Sequence, residues 1–182
     1  MTGDNLIKLL RGNQLPQFDF VGIEQEGDAI VIRLERRKGD PYVCSDCGQA
    51  SLFAYDSLTP RYVEDMPLGP YRLYWHFTPR RICCPHCGKT RTEQIRGLTP
   101  HSRQTDRYRY LISSECNKSS VSEVARRHGL DESTVSRIDR DFLEKRSLIT
   151  PAQTCRILGI DEITLKKSTS TRPSFTIRNN AT

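Results

Sequence analysis

Two stretches of sequence decide the fold: CSDCG at residues 44–48 and CPHCG at residues 84–88. In each stretch two residues separate the cysteines, so both sulfur atoms of a pair can turn toward one metal ion. The glycine after the second cysteine tolerates the positive φ that closes such a turn. Four thiols at this spacing are typical ligands of a tetrahedral Zn²⁺ ion. The sequence therefore predicts a structural zinc site whose ligands are Cys44, Cys47, Cys84 and Cys87.

Two disulfide bonds are the alternative use of these cysteines. The chain has seven cysteines, and three of them lie outside the two turns, which does not suit a fully paired framework. Residues 5–11 are too short and too soon interrupted for a signal peptide, so we expect a reducing compartment and favour zinc. Cys83 competes with Cys84 as a ligand, but only Cys84 has the two-residue spacing to Cys87.

The segment between the cysteine turns alternates apolar and polar residues. Leu73, Trp75 and Phe77 form the apolar half of this alternation, which is typical of a half-buried strand. A second strand near residues 61–63, reached through a turn at 68–70, would complete a hairpin that delivers Cys84 to Cys47. These features predict a small β zinc ribbon.

Basic residues are concentrated in the middle of the chain. The formal net charge is +6, and residues 61–110 carry 10 basic and 4 acidic side chains, whereas residues 1–60 carry 6 and 9. A basic belt beside aromatic residues suits a polyanion such as DNA, and Arg80 and Arg81 are candidate DNA contacts within it. No apolar run approaches the roughly 20 residues of a membrane span, so we expect no membrane partner.

A helix-turn-helix pattern follows the basic belt. Apolar residues recur with helical spacing from Thr105, and a second helix opens at Ser120 with Glu123 in capping-box spacing. This second helix stops at Gly129, and Asp131 caps a third helix. In DNA-binding proteins with this motif, the last helix enters the major groove with its N-terminal part.

Side chains on the last two helices are the candidate DNA contacts. On the third helix the residues expected to face DNA are Glu132, Ser133, Ser136, Arg137 and Arg140. Arginine can pair bidentately with guanine or clamp a phosphate, which favours the two arginines of this set. On the second helix, Arg126 and Arg127 are expected to contact the phosphate backbone.

A possible fragment of a further domain follows the helices. Residues 155–160 have the pattern of a buried strand that ends at Asp161 and Glu162, and a carboxylate at a strand end often begins a two-metal nuclease site. One strand makes no sheet, however. From residue 168 the chain is rich in Ser and Thr, and we expect this tail to be disordered.

Taken in order, these motifs resemble bacterial insertion-sequence transposases of the ISL3 type over residues 5–167. The resemblance is carried by the two cysteine turns, the Arg80-Arg81 pair, the helix-turn-helix and the strand Leu158-Gly159-Ile160-Asp161-Glu162. It implies a zinc-binding domain, a helix-turn-helix that binds terminal inverted repeats, and a ribonuclease-H-like DDE domain whose three carboxylates hold two divalent ions such as Mg²⁺. It identifies Asp161 with the first catalytic aspartate. The sequence departs from the family pattern near Lys167.

The sequence as a whole predicts an α+β fold: a small β zinc ribbon, then an all-α three-helix helix-turn-helix domain, then a stub strand and a disordered tail. The expected segments are an N-terminal helix and β element at 1–40, the ribbon at 41–100, the helix-turn-helix domain at 101–150, a stub of the catalytic domain at 151–167 and the tail at 168–182.

The expected function is sequence-specific binding to transposon inverted repeats by a truncated transposase with a regulatory or dominant-negative role. The expected partners are double-stranded DNA and a second copy of the chain or a full-length transposase, in the bacterial cytoplasm at the nucleoid. One aspartate cannot hold two metal ions, so we expect no enzyme activity from this chain alone and Mg²⁺ only in a full-length catalytic form. Two alternatives stay open: a subunit of an active DDE transposase, and a zinc-ribbon adaptor for protein or RNA.

Overall fold

The computed structural model describes residues 15–149, 158–163 and 172–177. These residues fall into two units that divide after Phe142, and each unit is described by itself. The expected N-terminal helix lies outside the described residues. The elements in chain order are β1 (Phe18–Glu26), β2 (Ala29–Arg36), β3 (Tyr42–Val43), β4 (Ala50–Ser51), β5 (Asp56–Ser57), β6 (Arg61–Leu68), β7 (Tyr71–Phe77), β8 (Arg80–Cys83), β9 (Thr90–Thr92), α1 (Asp106–Cys116), α2 (Val121–His128), α3 (Glu132–Ile149), β10 (Leu158–Ile163) and β11 (Arg172–Ile177).

A four-stranded sheet with the order β1-β2-β7-β6 dominates the first part of the chain. Its two hairpins, β1-β2 and β6-β7, are antiparallel, and β2 runs parallel to β7 between them. Leu73, Trp75 and Phe77 are all buried, as their alternation predicts. They share one core with Phe18 and Ile32 from the first hairpin. Each such side chain contributes about 1.5–3 kcal/mol when it leaves water.

This sheet differs from the expected ribbon in one respect. The sequence assigns the hairpin of residues 61–77 to the zinc ribbon and treats the N-terminal β element as a separate segment. The structure instead joins both hairpins in one sheet, with Ile32 opposite Trp75. The physical reason is that a period-two pattern fixes which face of a strand is buried but not which strand it pairs with. The cysteine turns lie in two smaller sheets, β3-β4 and β5-β8-β9.

The three helices form where the sequence predicts them. The side chain of Thr105 caps α1 by accepting from the N–H of Tyr108, and Ser120 caps α2 by accepting from the N–H of Glu123. Gly129 ends α2 with a φ of 61°, and the N–H of Leu130 donates to the carbonyl of Ala125 at 2.9 Å. This is the hydrogen-bond pattern of a Schellman cap, which needs a residue that tolerates the left-handed conformation. The helices share a buried core of Tyr108, Ile112, Val124, Ala125, Val135 and Ile138.

The second unit contains a hairpin of β10 and β11. The two strands are antiparallel, with Ile160 opposite Phe175 and Leu158 opposite Ile177. Two expectations are wrong here. The strand β10 is not isolated, because it pairs with β11, and residues 172–177 form a strand where a disordered tail was expected. Alternating Phe175 and Ile177 give this short stretch a strand pattern that its Ser and Thr content conceals.

None of the helices in the described part of the chain is both long and apolar enough to cross a membrane.

Candidate metal centre and nucleic-acid interface

The two cysteine turns have the same backbone construction. In the first turn the N–H of Cys44 donates to the carbonyl of Gln49, and in the second the N–H of Cys84 donates to the carbonyl of Lys89, at 2.9 and 3.0 Å. The glycine of each turn, Gly48 or Gly88, donates back to the carbonyl of the first cysteine at 2.9 Å in both turns. These glycines have φ angles of 72° and 67°, as the spacing predicts.

The turns bring four thiols together. The sulfur atoms of Cys44, Cys47, Cys84 and Cys87 all lie within 4.8 Å of one another. The Sγ–Sγ distance is 3.9 Å between Cys44 and Cys87, and 3.5 Å between Cys47 and Cys84. Tetrahedral Zn–S bonds of about 2.3 Å imply sulfur separations of about 3.8 Å, so this donor set fits Zn²⁺ in both chemistry and size. The thiol of Cys83 is exposed and is not in the group.

Hydrogen bonds and burial shift the pKa values of the clustered thiols in opposite directions, upward for Cys47 and Cys87 and downward for Cys84. A hydrogen bond from the backbone N–H of Cys87 has the largest effect on Cys84 and lowers the pKa of its thiol to about 6, although burial acts in the opposite direction. A thiolate is the form that binds a metal. Across the site, Lys89 of the second turn pairs with Asp46 of the first at 2.6 Å and ties the two turns together at the surface.

The third helix presents its predicted contact residues on one side. Glu132, Ser133, Arg137 and Arg140 are exposed and Ser136 is half-buried, whereas Val135 and Ile138 face the core. Within the described residues, neither Arg137 nor Arg140 has an ion-pair partner. The guanidinium groups of Arg137 and Arg140 are therefore available to an external anion.

The other four predicted DNA contacts are already engaged within the protein. Arg126 forms an ion pair with Glu123 at 2.8 Å, and Arg127 pairs with Glu115 at 2.7 Å. Arg81 lies 3.4 Å from Asp56. The Arg80 side chain donates to the hydroxyl of Ser57. These side chains remain predicted DNA contacts, but binding would require each arginine to share or exchange its present partner.

A buried carboxylate that the sequence analysis did not single out joins the sheet to the helices. Asp65 of β6 accepts from Trp75 Nε1 at 2.6 Å and from the hydroxyl of Thr105, the cap of α1, at 2.6 Å. The guanidinium of Arg107 also binds this carboxylate, with its Nε at 2.7 Å. An acidic residue two positions after Val63, on the inward-facing side of a predicted strand, is the signal that could have identified it.

The predicted catalytic aspartate lies on a strand of the second unit. Asp161 is in β10, opposite Ser174 of β11. Among the described residues, the four cysteines are the one group of His, Cys, Asp and Glu side chains close enough to hold a metal ion. The assignment of Asp161 to catalysis stays a prediction.

Comparison with known proteins gives two matches. Residues 93–143 match the helix-turn-helix domain of transposase family ISL3. Over 125 residues, or 69% of this chain, the sequence is 31% identical to the transposase for insertion sequence element IS1001 of Bordetella parapertussis. The chain spans 30% of the length of that relative. No solved structure matches the chain.

Proposed function

We propose that this chain is a transposase of the ISL3 type, which it resembles in residues 93–143 and over 125 residues of its length, and that it binds double-stranded DNA at the terminal inverted repeats of its own insertion sequence. In this proposal α3 is the recognition helix and enters the major groove with its N-terminal part. The structure supports a DNA-binding role most directly through Arg137 and Arg140. Both are exposed and without an ion-pair partner in the described part of the chain, on a helix inside the matched region.

The zinc site has a structural role in this proposal. Four cysteine ligands leave no open coordination position for a substrate, which is characteristic of structural zinc sites. The metal would hold together two turns that lie 40 residues apart in the sequence but touch through Lys89 and Asp46. Small sheets of two and three short strands bury little apolar surface, so metal binding is the main source of their stability.

A regulatory role follows from the same binding activity. A polypeptide that occupies the inverted repeats competes with any other transposase molecule for the same sites. We propose that this chain lowers the transposition frequency of its element when both are present. Co-expression with a second transposase that mobilises a marked element measures that frequency directly.

Equilibrium binding tests the proposed function. Fluorescence anisotropy of the zinc-loaded chain should show tighter binding to a duplex with the inverted repeat than to a scrambled duplex of equal length, by about a thousandfold or more. Affinity for both duplexes should fall between about 50 and 200 mM salt, because phosphate contacts release counterions. Equal affinity for the two duplexes would contradict sequence-specific binding.

A further inference from the structure

A basic groove lies between the four-stranded sheet and the turn that precedes α3. Its volume is about 510 Å³. Three arginines and two acidic residues line it, so the groove carries a net positive charge. The sheet and the segment before α1 contribute Arg61, Tyr62, Glu64, Arg72, Tyr74, Arg103 and Gln104, and the other side is formed by Gly129, Leu130, Asp131 and Thr134. None of the sheet residues in this groove belongs to the contact set predicted from the sequence. The groove is therefore a candidate surface distinct from the exposed face of α3.

The arginines of the groove are incompletely neutralised. Arg72 is paired with Glu64 at 2.8 Å. Arg61 donates to the carbonyl of Ser102, and Arg103 is exposed, with no ion-pair partner among the described residues. Burial lowers the pKa of Arg61, and the positive charge of Arg103 lowers it further, so the two guanidinium groups repel each other. An anion placed between them would relieve this repulsion.

The tyrosines add neutral hydrogen-bond donors to the same surface. Tyr62 is 55% exposed, and its ring stacks on that of His76 with 4.5 Å between the centroids. Tyr74 is half-buried on the neighbouring strand, β7. Side chains of arginine and tyrosine are common donors to phosphate oxygens of DNA.

The backbone fixes the groove relative to α1. The N–H of Glu64 donates to the carbonyl of Arg103 at 2.8 Å, and the N–H of Thr105 donates to the carbonyl of Glu64 at 2.9 Å. Residues 103–105 are thus held along the edge of β6 immediately before α1 begins. Arg103 cannot move independently of the helices without breaking these bonds.

We infer that this groove holds the phosphate backbone of the same DNA duplex whose major groove receives α3, with Arg103 and Arg61 as the phosphate-binding residues. The groove borders the turn before α3 and the first turn of that helix, and this is the part of a recognition helix that approaches DNA most closely. The sheet would thereby fix the register of the helix on the duplex, which is the usual role of backbone contacts. This inference rests on the proposed DNA binding.

Substitution of Arg103 tests the inference in the full, zinc-loaded chain. Arg103→Ala should weaken binding to the inverted-repeat duplex and to an unrelated duplex by the same factor, about tenfold, because a phosphate contact carries no base information. The magnitude of the slope of log affinity against log salt concentration should fall by about one, which corresponds to the loss of one phosphate contact. Arg103→Lys should restore most of the affinity, since it restores the charge.

Lys38→Ala is the matched control. It removes one positive charge from an exposed side chain that does not line the groove, so its affinity and salt slope should equal those of the wild type. Thermal unfolding midpoints of all variants should agree within about 2 °C, because none of the substituted side chains is buried.

The outcomes separate the two levels of the proposal. Equal affinity of the wild type for both duplexes would contradict the proposed function, which is sequence-specific binding. If the wild type binds sequence-specifically but Arg103→Ala has an unchanged affinity and an unchanged salt slope, the groove does not bind phosphate. The proposed function would then still hold. A loss confined to the inverted-repeat duplex would also contradict phosphate binding by the groove, since Arg103 would then be reading bases.

Discussion

The indole Nε1 of Trp75 donates a hydrogen bond of 2.6 Å to the carboxylate of Asp65. The Asp65 side chain has no solvent exposure. Its carboxylate also accepts hydrogen bonds from the Thr105 hydroxyl and the Arg107 guanidinium, at the start of α1. One buried charge therefore satisfies a donor in the core of the sheet and the capping residue of the first helix. The hydrogen bonds of Asp65 thus join the four-stranded sheet to the first helix of the helix-turn-helix.

Removal of this carboxylate should destabilise the first unit strongly. Asp65→Ala leaves Trp75 Nε1 and the Arg107 guanidinium without their acceptor, and a broken buried pair costs about 3–5 kcal/mol. Urea denaturation monitored by Trp75 fluorescence measures the free energy of unfolding; Trp75 is the only tryptophan of the chain. Asp40→Ala is the control, because its carboxylate lies 4.0 Å from Arg37 on the surface, and should change this free energy by less than about 0.5 kcal/mol.

The same carboxylate should give stability a specific pH dependence. Burial raises the pKa of Asp65, but hydrogen bonds from Arg107 and Thr105 outweigh it and lower the pKa below its ordinary value. A folded-state pKa below the unfolded-state value of about 3.9 means that the contribution is complete above that pH and is lost as the pH falls through the folded-state pKa. The difference in unfolding free energy between wild type and Asp65→Asn should therefore shrink below about pH 4. A difference that stays constant would show that the pKa of Asp65 is the same in the folded and the unfolded chain, and would contradict the lowered folded-state pKa.

Single cysteine substitutions should separate ligand thiols from the others. Cys84→Ser should abolish stoichiometric zinc, measured by elemental analysis of the purified chain, and should unfold the cysteine turns, because structural zinc contributes about 10–16 kcal/mol to folding in small domains. Cys83→Ser changes the neighbouring thiol, which is exposed and outside the cluster, and should retain one zinc ion per chain. Equal zinc content in the two variants would contradict the four-cysteine site. A chelator should have the same effect on the wild type as Cys84→Ser.

Gly129, at the end of α2, should be costly to replace. A Cβ at this position would meet nothing within 4 Å, so the cost of Gly129→Ala comes from a φ of +61° alone. That conformation costs an L-residue about 1–2 kcal/mol, and Gly129→Asn should cost less, because asparagine tolerates it better. Gly22→Ala provides the comparison: it too has open space at the Cβ position and has no positive φ. Chemical denaturation should find Gly22→Ala close to wild type.

Arg137 of α3 and Arg126 of α2 should differ in their contribution to sequence-specific DNA binding. Arg137 is exposed and unpaired within the described residues, so Arg137→Ala should reduce the preference for the inverted repeat over a scrambled duplex, by about 1–3 kcal/mol if this side chain reads a guanine. Arg126 is bound to Glu123, and Arg126→Ala should change both affinities equally and weakly. Competition binding with the two duplexes measures the ratio. Identical ratios for the two variants would exclude Arg137 as a base-reading residue.

The sequence alone determined the local features of this protein. The spacing of Cys44, Cys47, Cys84 and Cys87 identified the metal-binding group, because two intervening residues and a following glycine define the turn without help from the rest of the chain. Ser120 and Gly129 located the ends of α2 for the same reason, since capping satisfies nearby backbone groups. The apolar alternation around Trp75 also gave the buried face of β7 correctly.

Tertiary structure alone decided which of these features lie together. Nothing local to β2 requires it to run parallel to β7, and nothing near Asp65 in the sequence predicts its contact with Thr105, 40 positions away. Arg103 and Arg61 likewise share a groove only because residues 103–105 add to the edge of β6. Strand pairing and buried ion pairs depend on the whole core closing at once, so their free energy is not encoded in any short stretch of sequence.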